Sequence, residues 1–291
     1  MVTVTEKTNL DTFDIDLQQG EEIAHLINNE DKKVATAIQK IIPQIGFAIE
    51  EITARMPKGG RMAYFGSGTS GRIGILDASE MPPTFGVAQN LIQAFISGGD
   101  EAVRFAVENA EDREEFAVED FETFNPQSDD IIVAISASGN PQYTYKVLQL
   151  AKEKNLLTIA ITSNPEARFN PFADIFLCAE VGPEAIAGSS RMKSGTAQKM
   201  ILNMLSTGAM IRLGKTYHNY MVDVQIHNQK LRERGIRYIC EITKTDERTA
   251  EKTLQIAKNV KTACVMILKK CNKDTAEKML KANNGILRKI I

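Results

Sequence analysis

Ile23, Leu26 and Ile27, then Val34, Ile38, Ile41, Ile45, Ile49 and Ile52, recur at helical intervals. The pattern predicts helices over 20–56, and Pro43 marks a start or a kink between two of them. Residues 1–17 lack the periodicity and read as an irregular arm. The turn "PKGGR" (57–61) feeds a strand at 62–65. Strands and helices then alternate: strand 91–99, helix 100–110, a strand within 129–140, helix 142–155, and strands 156–165 and 173–180. Residues 131–135 are apolar without a break, which implies burial on both faces, as in a parallel sheet covered by helices. From Ser194 a long helix carries Ala197, Met200, Ile201, Met204, Leu205 and Ala209 on one face.

Beyond Leu231 the chain is rich in Lys and Glu and stays helical in pattern. Residues 240–291 are predicted as a three-helix appendage. Thr245 caps one helix, Asp274 with Glu277 makes a capping-box-like start, and "NNG" (283–285) ends the last helix. The expected fold class is α/β: a doubly wound, mainly parallel sheet with N-terminal helices and a small helical C-terminal subdomain. The expected boundaries are an arm and helices at 1–56, a central domain at 57–230 and the helical subdomain at 231–291.

Composition narrows the function. The chain has 291 residues, a net charge of −2 and no Trp, which gives no drive toward nucleic acid or an anionic membrane. No run of about 18 apolar residues predicts a membrane span. The four cysteines, Cys178, Cys240, Cys264 and Cys271, form no metal-ligand spacing and read as reduced thiols of a cytoplasmic protein. The polar, acidic start does not read as a signal peptide.

The candidate chemistry begins at "FGSGTSGRIGILDASE" (65–80). Gly66, Gly68 and Gly71 satisfy G-x-G-x-x-G between a strand and a helix, where backbone N–H groups favour an anion. A tight turn with no ligand is the simplest competing reading. A dinucleotide site requires an acidic residue about 20 positions on, and Asp100 lies too far away. A Walker A loop requires Lys-[Ser/Thr] where Arg72-Ile73 stands. A third reading is a monophosphate held by the hydroxyls of Ser67, Thr69 and Ser70 around Gly68. A second Ser/Gly loop favours it: Ser136, Ser138 and Gly139 follow another buried strand and open on the same carboxyl edge of the sheet. A third loop, "GSSRMKSG" (188–195), adds Ser189, Ser190, Arg191 and Lys193. No metal or redox cofactor is called for.

These blocks, with "ENAEDR" (108–113), "VGPEAIAGSSRMKSGTAQKMILNMLSTGAMIRLGK" (181–215) and "MVDVQ" (221–225), resemble the sugar-isomerase (SIS) domain family. More closely, nearly the whole chain resembles the N-acetylmuramic acid 6-phosphate etherases. The arm departs from that family's pattern at Thr8 and Leu10, which replace an Arg and a Pro. The resemblance implies an SIS fold, a cytoplasmic homodimer, and cleavage of the lactyl ether of N-acetylmuramic acid 6-phosphate to N-acetylglucosamine 6-phosphate and D-lactate. It carries the family's catalytic acids onto Glu80 and Glu111. Elimination from the open-chain aldehyde needs one carboxylate as base at C2 and one acid at the ether oxygen. Glu111 is assigned as the base and Glu80 as the acid. Asp77, one helical turn before Glu80, is a candidate supporting acid. His25, His218 and His227 read as residues without a catalytic role. The alternatives are a non-catalytic sugar-phosphate-sensing regulator and an aldose–ketose isomerase.

Overall fold

A computed structural model describes residues 3–224 and 228–291. The chain divides into two units, one of residues up to 79 with 90–206, the other of 80–89 with 207–291.

The first unit begins with the arm, which is more ordered than its sequence suggests. It forms three 3-10 turns, with Thr5, Asn9 and Thr12 buried. Helices α1 (Gly20–Gln39) and α2 (Ile42–Arg55) follow, and Pro43 sits in the first turn of α2, where its missing N–H costs nothing. Five parallel strands form the sheet: β1 (Met62–Gly66), β2 (Ile92–Ile96), β3 (Ile131–Ile135), β4 (Leu157–Thr162) and β5 (Ile175–Cys178). Their order is β2-β1-β3-β4-β5. Every residue of β1, β3 and β4 is buried, as the unbroken apolar run of β3 predicts for the sheet.

Both faces of the sheet are covered. Helix α3 (Gly68–Phe85) follows β1, and α4 (Gly99–Arg104) follows β2. Helices α5 (Glu114–Phe124) and α6 (Gln142–Glu153) pack Ala117, Phe121, Phe124, Tyr143 and Val147 against Ala63, Phe65 and Ile132. Tyr64 points to the opposite face, where its hydroxyl donates to Asp77 of α3 at 2.9 Å. Helix α7 (Lys193–Arg212) supplies Ser206 to the same carboxylate at 3.1 Å.

Two expectations change here. The helix expected over 100–110 stops at Arg104, because Phe105 turns extended and Asn109 takes a left-handed φ of 56°. Helix α5 has no counterpart among the predicted elements.

Among its described residues the second unit contains a short hairpin, β6 (Thr216–Tyr217) with β7 (Tyr220–Met221), and then four helices, of which the last three are the three-helix appendage expected over 240–291. These are α8 (Gln229–Thr243), α9 (Glu247–Ala257), α10 (Val260–Lys269) and α11 (Lys273–Ala282). Asp246, not Thr245, caps α9, and Asn272, not Asp274, caps α11; each accepts the N–H three residues on. Asn259 caps α10 in the same way. Ile239, Leu254, Val260, Ala263, Cys264 and Leu287 form the core of this unit.

Candidate active site

The sheet order reverses between β1 and β3, and loops at such a switch point form the crevice of an open α/β sheet. Gly66 pairs with Ile135. Ser67 and Ser136 therefore leave neighbouring strands at the same level, about one strand spacing (~4.8 Å) apart.

The first loop is tight because two glycines let the backbone close on itself. A Cβ on Gly71 would lie 2.7 Å from the Gly66 carbonyl oxygen and 2.5 Å from Ile96. Gly68 has a left-handed φ of 52°. The N–H groups of Ser70 and Gly71 both point back to the Ser67 carbonyl. The Ser67 hydroxyl oxygen is buried and has no hydrogen-bond partner among the described residues. Ser70 is buried and Thr69 half-buried. Arg72, at the position of a Walker lysine, turns away. Its guanidinium donates to the carbonyls of Ala102, Val103 and Phe105, which closes the end of α4.

In the second loop the hydroxyls shape the backbone. Ser136 Oγ accepts from the Gly139 N–H at 3.0 Å, and Ser138 Oγ accepts from the Asn140 N–H at 3.3 Å. Each keeps its own O–H to donate elsewhere. Gly139 has φ 71°, and a Cβ there would lie 2.3 Å from that of Ala167. The loop after β4 braces this one: Thr162 Oγ1 donates to the Ala137 carbonyl, and Asn164 Nδ2 to the Ser138 carbonyl at 2.8 Å.

The third loop leads into α7 and is held from several sides. The buried Glu184 carboxylate accepts the N–H groups of Lys193 at 2.9 Å and Ser194 at 3.0 Å, capping the helix. Asn9 and Thr12 of the arm donate to the Pro183 and Ala185 carbonyls. Ser190 is half-buried, and its carbonyl accepts the Gly195 N–H. Lys193 does not face the other loops' hydroxyls as a free cation. It is buried, and its Nζ donates to Glu30.

Glu111 and the first loop line one cavity of about 190 Å³, together with Gly68, Arg72, Ser97 and Asn109. The Ser97 hydroxyl donates to the Ala110 carbonyl and, with the left-handed Asn109, fixes the short turn that carries Glu111. Burial on its protein side, and then the neighbouring Asp112 carboxylate, raise the Glu111 carboxyl above its ordinary value. Glu80 is exposed on α3. At the usual helical rise it stands about 18 Å along the axis from Gly68.

Asp77 has a different environment from Glu80. Burial raises its pKa, and Tyr64 and Ser206 donate to it. With the Asn203 amide nitrogen turned toward Asp77, that nitrogen donates at 3.1 Å and its oxygen accepts from Lys199 at 2.6 Å. Asp77 thus ties β1, α3 and α7 together. His25 is exposed beside Glu21, and His218 lies against Tyr217 and Arg288 in the second unit. His227 and Gln225, the end of "MVDVQ", lie outside the described residues. Among the described residues no cluster of His, Cys, Asp and Glu has the arrangement of a metal site.

The sequence analysis missed Ser97, Glu184, Ser194 and Gln198. The oxygen of Ser194 and both amide atoms of Gln198 are buried without partners among the described residues. Their signal in the sequence is faint: polar residues inside an otherwise apolar helix.

A parallel sheet with Ser/Gly turns at its switch point is a doubly wound α/β fold with an anion-type crevice. Residues 116–208 match the SIS domain model, and residues 44–152 match that of the glucokinase regulatory protein N-terminal SIS domain. The phosphoheptose isomerase of Francisella tularensis shares the fold, with a TM-score of 0.50 over 66% of this chain and 97% of that one, at 18% identity. The N-acetylmuramic acid 6-phosphate etherase of Glaesserella parasuis serovar 5 is 46% identical over 97% of this chain and 93% of its own. That of Caldanaerobacter subterraneus subsp. tengcongensis is 47% identical over 99% and 94%. The chain belongs to the N-acetylmuramic acid 6-phosphate etherase family and is a carbon–oxygen lyase.

Proposed function

We propose that this protein cleaves the D-lactyl ether of N-acetylmuramic acid 6-phosphate, releasing D-lactate and N-acetylglucosamine 6-phosphate. The observation that carries the site assignment is the cavity shared by Ser67, Gly68 and Glu111: an unpaired hydroxyl beside a carboxyl of raised pKa. The full-length etherase relatives favour this reading over a sugar-phosphate-sensing regulator.

The phosphate is gripped by Ser67, Thr69 and Ser70, with Ser136, Ser138 and Ser190 as further donors and Gly68 and Gly139 allowing close approach. Lys193 is engaged by Glu30, so it supports the third loop instead of contacting the phosphate. With the sugar open to its aldehyde, Glu111 removes the C2 proton, which the carbonyl acidifies. The electron pair forms the C2–C3 double bond as the C3–O bond breaks, and Glu80 protonates the departing lactate oxygen. Water then adds at C3, losing its proton to the Glu80 carboxylate, and Glu111 returns a proton to C2. A raised pKa makes Glu111 a stronger base near neutrality.

The protein works as a homodimer, and the separation of about 18 Å along α3 favours Glu80 acting on a substrate held by the second copy. Its place is the cytoplasm, in keeping with four free cysteines. Among the described residues no helix is long and apolar enough to cross a membrane. The test is D-lactate release from N-acetylmuramic acid 6-phosphate by the wild type and by Glu80→Ala. Release by the wild type alone supports both the reaction and the acid. Release by both removes Glu80 from the mechanism, and release by neither overturns the reaction.

A further inference from the structure

Gln198 is 2% exposed, and neither its Oε1 nor its Nε2 has a hydrogen-bond partner among the described residues. Leaving both a donor and an acceptor of one buried amide unpaired is costly and unusual in a folded protein. Ser194, one turn earlier on the same face of α7, is fully buried, and its hydroxyl oxygen is also unpaired. Helical side chains lean toward the N-terminus, so the Gln198 amide lies over the turn that holds Ser194. That first turn of α7 packs on the first turn of α3: the space beside the Gly195 Cα is bounded by Thr69 Cγ2 and Ile73 Cδ1. The unpaired Ser67 oxygen immediately precedes that turn of α3. The packed first turns of α7 and α3 therefore each carry or adjoin unpaired buried polar atoms.

The chemistry of Gln198 restricts what satisfies it. A phosphate or a carboxylate accepts hydrogen bonds and would leave Oε1 unpaired. A carbonyl alone does the same. An amide offers an N–H and a C=O side by side, which matches both atoms of a glutamine at once. We propose that Gln198 recognises an amide substituent on the bound sugar phosphate, with Nε2 donating to its carbonyl and Oε1 accepting from its N–H. This rests on the sugar-phosphate reading above. It makes Gln198 the residue that selects a 2-acetamido sugar over the same sugar carrying a hydroxyl at that carbon.

The test compares binding of N-acetylglucosamine 6-phosphate and glucose 6-phosphate by titration calorimetry, in the wild type and in Gln198→Leu. Losing two hydrogen bonds to the ligand should weaken the acetamido sugar about tenfold or more in the variant. Glucose 6-phosphate should stay within about twofold, so that the wild-type preference collapses. An equal loss for both sugars would assign Gln198 a purely structural role and overturn the proposal. Unchanged discrimination would overturn it too, and would mean that bound water satisfies the amide. If Gln198→Leu fails to fold, as judged by thermal melting, Gln198→Met carries the same comparison. D-lactate release from N-acetylmuramic acid 6-phosphate is measured on the same wild-type preparation. No lactate with intact sugar discrimination would overturn the etherase reaction and leave the role of Gln198 standing. Lactate without discrimination would do the reverse.

Discussion

Lys193 Nζ donates to Glu30 Oε2 at 2.5 Å, with side chains only 1% and 2% exposed. The pair joins the start of α7 to α1. A lysine in a Ser/Gly-rich loop reads in the sequence as a cation waiting for a phosphate, but here its charge is already matched. Lys33 adds a second donor to Glu30 and also reaches Asp11 of the arm at 2.7 Å. The third loop is thus anchored by a charged network on one side and by the Glu184 cap on the other.

Removing one partner of this pair leaves a buried charge without its counterion. Glu30→Ala should lower stability by about 3–5 kcal/mol in urea unfolding. The double variant Glu30→Leu/Lys193→Met should recover much of that loss, because an apolar pair needs no desolvation of charge. The pH dependence follows from the same contacts. Burial pushes the Glu30 carboxyl up, but hydrogen bonds from Lys193, Lys33 and Asn9 outweigh it and hold the pKa below the ordinary 4.5. A lowered folded-state pKa gives stability that is fully present above pH 4.5 and is lost as pH falls through the folded value. The wild type should therefore lose stability on acidification below pH 4.5 more steeply than the double variant.

The acidic limb of kcat/KM should report Glu111 as the base. Its pKa is raised by burial and then by Asp112, so activity should fall with decreasing pH at a point above the ordinary value of 4.5. Asp112→Asn removes the like charge and should move that limb to lower pH. A limb that stays in place in Asp112→Asn would show that another group controls it. Glu111→Gln should lose about 10²–10⁴-fold in kcat at every pH.

Mixing experiments test which copy supplies the acid. Glu80→Ala and Glu111→Gln homodimers should each release almost no lactate. After unfolding and refolding together, heterodimers should regain activity if Glu80 serves the partner's substrate, because one of their two sites then holds both carboxylates. If both carboxylates of a site come from one chain, the mixture stays inactive.

Gly139→Ala should be strongly harmful. The residue has φ 71°, and the added methyl would meet the Ala167 Cβ at 2.3 Å. Strain and overpacking together should cost about 2–4 kcal/mol, seen as a lower melting temperature. The second loop would shift with it, so KM for the sugar phosphate should rise before stability becomes limiting.

Much of the fold is legible in the chain because burial is written in its local pattern. The unbroken apolar run of β3 predicts a sheet covered on both faces, and β1, β3 and β4 are buried throughout. Pro43 opens α2 as its φ restriction suggests. Reading failed where a single side chain decides a boundary. The run that looked helical to residue 110 stops at Arg104, where Phe105 turns extended, and Asp246 rather than Thr245 starts α9 by accepting a backbone N–H. Neither boundary interrupts hydrophobic periodicity enough to announce itself.

The sequence by itself determined the family and the Ser/Gly loops, because residue type and order are local facts. Only the tertiary structure decided which of these groups meet. Parallel pairing of β1 with β3 brings Ser67 beside Ser136. The turn held by Ser97 brings Glu111 to the first loop. Long-range packing also spent Lys193 on Glu30 and left Gln198 buried and unpaired. Such outcomes depend on residues far apart in the chain, so no spacing along the sequence records them.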